Sequence, residues 1–172
     1  MIDNRDEVDA LVAAWRRERP DLDVAPLEVL SRITRLARQL DIARRAAFAK
    51  HGLETWGFDV LAALRRAGAP YQLTPGQLIH ENLVTSGTIT NRLDRLESDG
   101  LLSRHPDPSD GRGTLVRITS KGIEVVDAAL VDLLNREKEL LHSLKKSERD
   151  ELAGYLSRML TQFESDAPER TE

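Results

Sequence analysis

The sequence predicts a mainly helical α+β chain, and three observations carry that prediction. Thr74–Leu83 and Thr88–Glu97 have the character of two short helices, separated only by Val84-Thr85-Ser86-Gly87. Two β-type runs follow, Leu101–His105 and Leu115–Thr119, enclosing the turn-rich Pro106-Asp107-Pro108-Ser109-Asp110-Gly111-Arg112-Gly113. Long stretches of helical apolar spacing lie on both sides of this block. Helix, turn, helix and hairpin is the order of a winged helix-turn-helix, whose second helix has the dimensions to enter a DNA major groove.

The elements can be justified in chain order. Val8, Leu11, Val12 and Trp15 follow i, i+3, i+4, i+7 and predict an added amphipathic helix before Pro20. Pro26 suits a first helical turn, and Leu27, Leu30, Ile33, Ala37, Leu40, Arg44 and Ala47 then recur at helical spacing. In the second helix of the central block, Ile89, Leu93 and Leu96 fall within roughly 60° of one another at about 100° per residue, one narrow apolar seam. Its opposite side carries Thr88, Asn91 and Arg95, with Gly87 and Asp94 beside them. Asn suits adenine, Arg suits guanine, and a Thr methyl suits thymine. Thr85 or Ser86 is placed to cap this helix, leaving N-terminal N–H groups for a phosphate. Asp99-Gly100 stops it.

The wing has its own logic. Asp-Pro and Ser-Asp-Gly form turns, and Gly111 and Gly113 give the chain freedom on either side of Arg112. A guanidinium at the tip of a projecting hairpin can enter a narrow, electronegative minor groove. Asp110 is close enough to orient Arg112 or another Arg by a charge-assisted bond. Arg117 and Lys121 supply phosphate contacts or plain solubility, and the sequence does not separate these.

Toward the C-terminus, Ile123, Val126, Leu130, Leu133, Leu134, Leu140, Leu141 and Leu144 repeat over a long helical stretch. Ser147 with Asp150 resembles a capping box and predicts the start of a last helix carrying Leu152, Tyr155, Leu156, Met159, Leu160 and Phe163. These seams exceed what the small central block can cover. A partner subunit is the simplest cover, and a two-fold dimer would present two reading helices to a pseudo-palindromic duplex. The open alternative is that the long helices pack on one another within one chain. The expected segments are an N-terminal extension helix (1–22), a dimerisation helix (23–52), the winged helix-turn-helix (53–120), and C-terminal dimerisation helices with a tail (121–172).

Composition bounds the function. A chain of 172 residues can bury one core, with room for a dimer interface. No signal peptide and no apolar run near the ~20 residues that span a bilayer is visible, so a cytoplasmic protein without membrane association is expected. With no cysteine there is no disulfide, thiolate zinc site or thiol sensor. His51, His80, His105 and His142 lack metal-ligand spacing, so neither a metal nor another cofactor is expected. No phosphate loop, nucleophile elbow or paired-carboxylate pattern supports an enzyme. The net charge is −4, and within 83–121 six basic groups (Arg92, Arg95, Arg104, Arg112, Arg117, Lys121) face five acids (Asp94, Glu97, Asp99, Asp107, Asp110). DNA affinity must then come from arrangement and from doubling in a dimer, with weak non-specific binding.

These residues resemble a known family. Leu83-Val84-Thr85-Ser86-Gly87-Thr88-Ile89-Thr90-Asn91-Arg92-Leu93-Asp94-Arg95-Leu96-Glu97-Ser98-Asp99-Gly100-Leu101-Leu102 is similar to the second helix and first wing strand of MarR-type regulators. Asp110-Gly111-Arg112 and Ile118-Thr119-Ser120-Lys121-Gly122 match their wing and the start of the following helix. The resemblance runs from about Pro26 to Phe163. It implies a homodimeric winged-helix protein, usually a repressor, acting on a short inverted repeat, with Thr85, Ser86, Thr88, Asn91, Arg95, Asp110 and Arg112 toward DNA.

A finer resemblance points to the urate-responsive, PecS-type branch. That branch has an added N-terminal helix with a Trp, an Asp early in the helix before the reading head, an Arg in the reading helix and an Arg in the first wing strand. The corresponding positions are Trp15, Asp59, Arg92 and Arg104. The set is chemically sensible for urate, which is planar, anionic near neutral pH and rich in N–H donors. An Asp accepts from those donors, two Arg meet the charge and carbonyls, and a Trp covers the ring. Each residue also has a plainer role open to it: Trp15 in packing, Asp59 paired with an Arg such as Arg35 or Arg38, Arg92 on a phosphate, Arg104 solvated. The expected function is a repressor released by urate or a related purine. The alternatives are a regulator responding to phenolic compounds or antibiotics, and a winged-helix interaction module that has lost DNA binding.

Overall fold

The computed structural model describes residues 5–82, 85–108 and 110–165, and leaves the side chains of 110–112 and 164–165 outside that description. The helices are α1 (Glu7–Glu18), α2 (Ala25–Ala49), α3 (Thr55–Arg66), α4 (Pro75–Asn82), α5 (Ser86–Ser98), α6 (Ser120–Leu140) and α7 (Lys146–Ser165). The strands are β1 (Gln72–Leu73), β2 (Leu102–Asp107) and β3 (Asp110–Ile118). This is the mainly helical winged helix-turn-helix architecture with long flanking helices that the sequence predicts. The chain divides into two compact units after Leu133.

The first unit holds the core. Phe48 at the end of α2 stacks on Phe58 of α3, ring centroids 4.1 Å apart. Around them α3 buries Val60, Leu61 and Leu64, α4 buries Leu78, and α5 buries Ile89, Leu93 and Leu96. Each large side chain so buried contributes roughly 1.5–3 kcal/mol. The expected seam of α5 is therefore the face that anchors the helix. Its C-terminus is closed by Gly100 at φ 72, where Asp99 N–H bonds the Arg95 carbonyl, and Lys121 Nζ donates to the Asp99 carbonyl at 2.8 Å.

The sheet order is β1-β3-β2, all antiparallel. β1 is a two-residue strand that no sequence pattern signals; Gln72 opposes Arg117 and accepts from its guanidinium at 2.6 Å. The wing strands run further than the β-type runs, to Asp107 and from Asp110, with Pro106 opposite Thr114. Main-chain pairing carries the ladder past residues of low strand preference, and Pro106 is tolerated because β2 is an edge strand. Where α6 begins, Gly122 allows a close approach: a Cβ there would lie 2.1 Å from the Leu101 carbonyl oxygen.

α1 is capped by Asp6 in a capping box with Asp9 and buries Val8 and Val12 against Val24, with Leu11 and Leu27 alongside. Arg32 of α2 grips both acids, reaching Asp6 at 2.8 Å and Asp9 at 3.0 Å. Trp15, expected on the same apolar stripe, is instead 48% exposed. Arg65 of α3 bonds Asp127 of α6 at 3.0 Å and lies over the Tyr71 ring.

In the second unit, α7 starts at Lys146, not at Ser147. Glu148, rather than Asp150, reaches back to the Lys145 N–H at 2.6 Å, and Asp150 instead pairs with Lys146. The acid that reaches back is thus Glu148, and the helix starts two residues before the Glu148 that a Ser147 cap would make its first. α7 has no buried residue among those described; Leu160 and Phe163 are 62% and 69% exposed.

Candidate nucleic-acid interface and effector recess

The interface is built on α5. Thr85 is its N-cap: extended at φ −81 and ψ 160, it accepts from the Thr88 N–H and shares a 2.9 Å hydroxyl contact with Thr88. Ser86 lies in the first turn and accepts the Thr90 hydroxyl through its carbonyl. A helix of this length has first-turn N–H groups without intrahelical acceptors, the usual anchor for a phosphate. With Ile89, Leu93 and Leu96 buried, Thr88, Asn91 and Arg95 all lie on the exposed side. Of the wing tip, the backbone of Asp110–Gly113 belongs to β3, while the side chains of Asp110 and Arg112 lie outside the described residues.

Two arginines of this face have partners that the sequence did not indicate. Arg95 Nη2 donates to Glu54 Oε1 at 2.7 Å, and its guanidinium lies 4.9 Å from the centroid of Trp56. Arg92 approaches the same ring at 5.7 Å. Glu54 and Trp56 sit at the start of α3, some forty positions upstream. The signal that could have found them is local: an acid, then an aromatic two residues on, at a helix start aimed toward the reading helix. The Trp56 indole N–H donates to the other Glu54 oxygen at 2.8 Å. This bond first, and the Arg95 bond second, hold the Glu54 carboxyl below the usual carboxylate range.

Arg104 of β2 is closed onto α5. It reaches Asp94 at 2.7 Å and Glu97 at 2.8 Å, and its Nη2 also donates to the Thr90 carbonyl at 3.4 Å. Its main-chain N–H donates to Glu97 as well. The wing strand is thereby fastened to the reading helix, with Arg104 as the clasp rather than a solvated strand residue.

Asp59 of α3 pairs with Arg44 of α2 at 3.3 Å, not with Arg35 or Arg38. Burial pushes its carboxyl up, and the nearby Arg44, Arg92 and Arg66 guanidiniums pull the other way without overcoming it. An open recess of about 170 Å³ adjoins it, lined also by Arg66, Glu81 and Asn82. Asp59 and Arg92 therefore share a neighbourhood, Arg104 holds the far side of α5, and no contact links Trp15 to the other three among the described residues. A larger groove of about 830 Å³ runs along α1 and α2, past Asp6, Arg32, Arg35, Arg38 and Ile42, away from Asp59. No group of His, Asp or Glu suited to a metal is found among the described residues, and no helix there is long and apolar enough to cross a membrane.

Comparison with known proteins gives these features a family. The MarR family model matches residues 51–113, which span α3 to the wing. The regulator PecS of Dickeya dadantii is 36% identical over 153 residues, 89% of this chain and 92% of that protein. The transcriptional repressor NicR of Pseudomonas putida is 28% identical over 148 residues, covering 84% and 92%. Among solved structures, a point mutant of Escherichia coli MarR in complex with operator DNA superposes with a TM-score of 0.67 at 28% identity, over 80% of this chain and 95% of that one. These matches are to transcriptional regulators rather than to enzymes, and the chain belongs to the MarR family.

Proposed function

We propose that this protein is a homodimeric, sequence-specific DNA-binding repressor, released from its operator by a small planar anion, urate or a related purine. The observation that carries the DNA assignment is the division of α5: an anchored face of Ile89, Leu93 and Leu96 and an exposed face of Thr88, Asn91 and Arg95. In this reading Thr85 and Ser86 meet a phosphate, Thr88, Asn91 and Arg95 meet base edges, and Arg112, oriented by Asp110, enters the adjacent minor groove. That MarR has been solved on operator DNA and that NicR is named a repressor support the assignment.

The dimer is supported by apolar faces without cover. In the first unit α2 exposes Val29, Leu30, Leu36, Leu40 and Ile42; in the second α7 exposes Leu152, Tyr155, Leu156, Leu160 and Phe163. In a pair of chains, segments 23–52 and 121–172 form the interface, 1–22 is an extension helix, and 53–120 carries the reading head to a pseudo-palindromic site.

The effector reading is supported by the shared setting of Asp59 and Arg92 and by the resemblance to PecS. Arg92 lies between the Asp59 side and the Trp56 side of α5, so an anion that draws it displaces the element that touches DNA. An anion reaching Arg104 would have to exchange with Asp94 and Glu97, which also frees α5. Trp15 would complete this set from the extension helix. Coupling of about 1–3 kcal/mol would weaken operator binding about 5–150-fold, and by reciprocity operator DNA would weaken effector binding equally.

The test is fluorescence anisotropy on the protein's own upstream region, titrated with urate, xanthine and salicylate. Urate should release the duplex at the lowest concentration; release by salicylate alone would move the reading to the phenolic class. Asp59→Asn should keep operator affinity within about twofold and blunt the urate response. Its raised carboxyl favours folding in full below the usual Asp range and loses that contribution as pH rises through the folded-state value, so at neutral pH the amide carries no stability cost from that source.

A further inference from the structure

Arg95 is offered to solvent, yet in the free protein its charge is already answered. Glu54 takes one of its N–H groups at 2.7 Å and the Trp56 ring backs its guanidinium at 4.9 Å. The carboxylate is itself fixed, because its second oxygen accepts the indole N–H of Trp56 at 2.8 Å. Both partners of the pair stay open, with side chains 63% and 58% exposed. Glu54 makes no capping bond to α3. Its carboxylate therefore has no visible duty except toward Trp56 and Arg95. The neighbouring bases are likewise occupied: Arg104 by Asp94 and Glu97, Lys121 by the Asp99 carbonyl, Arg117 by Gln72.

We propose that Glu54 is a specificity-determining residue, an internal anion that holds Arg95 until a correct base edge replaces it. The proposal rests on the reading of Arg95 as a DNA contact. An exposed ion pair is cheap to open, so the exchange is reversible and fast. What matters is what the duplex offers in return. A lone backbone phosphate replaces one charge-assisted bond with another and leaves Glu54 unpaired beside a polyanion. A guanine edge offers two aligned acceptors, N7 and O6, to the planar guanidinium. Glu54 therefore lowers binding to random duplex more than binding to the operator. Trp56 keeps the guanidinium poised during the exchange, because ring attraction does not need the carboxylate.

The experiment compares wild type, Glu54→Gln, Arg95→Gln and the double variant on operator and on scrambled duplex of equal length, at several salt concentrations. Glutamine retains an oxygen for the Trp56 indole and removes only the charge. Glu54→Gln should tighten scrambled-duplex binding several-fold and operator binding by less than about twofold, so that the ratio of the two affinities falls. The salt dependence on scrambled duplex should steepen by about 0.9 per subunit in logarithmic slope, one further phosphate contact. In the Arg95→Gln background the effect of Glu54→Gln should largely vanish. Three results overturn the proposal. An Arg95→Gln variant with unaltered operator affinity removes Arg95 from the interface and the proposal with it. Loss of affinity in Arg95→Gln with an unchanged ratio and slope in Glu54→Gln defeats the exchange alone. A Glu54→Gln effect that persists undiminished without Arg95 would be bulk charge, not competition.

Discussion

The head around α3–α5 and the last helix, α7, are both amphipathic in sequence, yet they use their apolar residues differently. In the head, Phe48, Leu61, Leu64, Leu78, Ile89, Leu93 and Leu96 are all essentially inaccessible to water. In α7 the corresponding apolar stripe, from Leu152 to Phe163, is exposed within its own unit. A periodic stripe says that a helix needs cover; it does not say which chain supplies it. The head covers its own stripe, and the stripe of α7 is left exposed.

That contrast can be broken or sharpened by substitution. The largest effect belongs to the head: Phe48→Ala removes a fully buried ring stacked on Phe58 and should cost about 3–5 kcal/mol, read from urea unfolding. Gly122→Ala should follow at about 1–3 kcal/mol, because its methyl meets the Leu101 carbonyl and Ile118, and α6 must shift to admit it. Leu160→Asp should leave the head's stability within about 0.5 kcal/mol, as expected of an exposed site. The same change should drive the dimer to monomer in sedimentation; a monomeric wild type, or a dimer indifferent to this change, would erase the contrast.

The smallest effect is at α1. The Arg32 bond, aided by backbone N–H groups, holds the Asp6 carboxyl below its usual range. The sign follows from linkage: the stabilisation is present above the ordinary Asp value and is lost as pH falls through the depressed one. Amide exchange in α1 should therefore rise in acid before that of α3, and Asp6→Asn should remove the difference.

Much of the head was legible because the helical period fixes both its buried and its exposed residues. Ile89, Leu93 and Leu96 could be assigned inward, and Thr88, Asn91 and Arg95 outward, from angles alone. Thr85 was one of two capping choices, and hydroxyl geometry selected it. What escaped depends on contacts distant in sequence. β1 is too short for any alternation, and it exists because β3 offers it a partner. Arg92, Arg95 and Arg104 could be named, but the Trp56 ring, the Glu54 carboxylate and the Asp94–Glu97 pair that receive them follow only from how α3 and β2 cross α5. At Ser147 the pattern was ambiguous in itself, since Glu148 and Asp150 both lie within reach of a helix start.

Trp56 also makes the protein its own instrument. The chain has two tryptophans, one on the extension helix and one beneath the arginines of the reading helix. Replacing Trp15 by Phe would leave a single tryptophan whose emission responds to the cations lying on its face and the carboxylate at its indole nitrogen. Binding of a duplex at the reading helix could then be followed without a label, and the proposed effector titrated in the same cuvette.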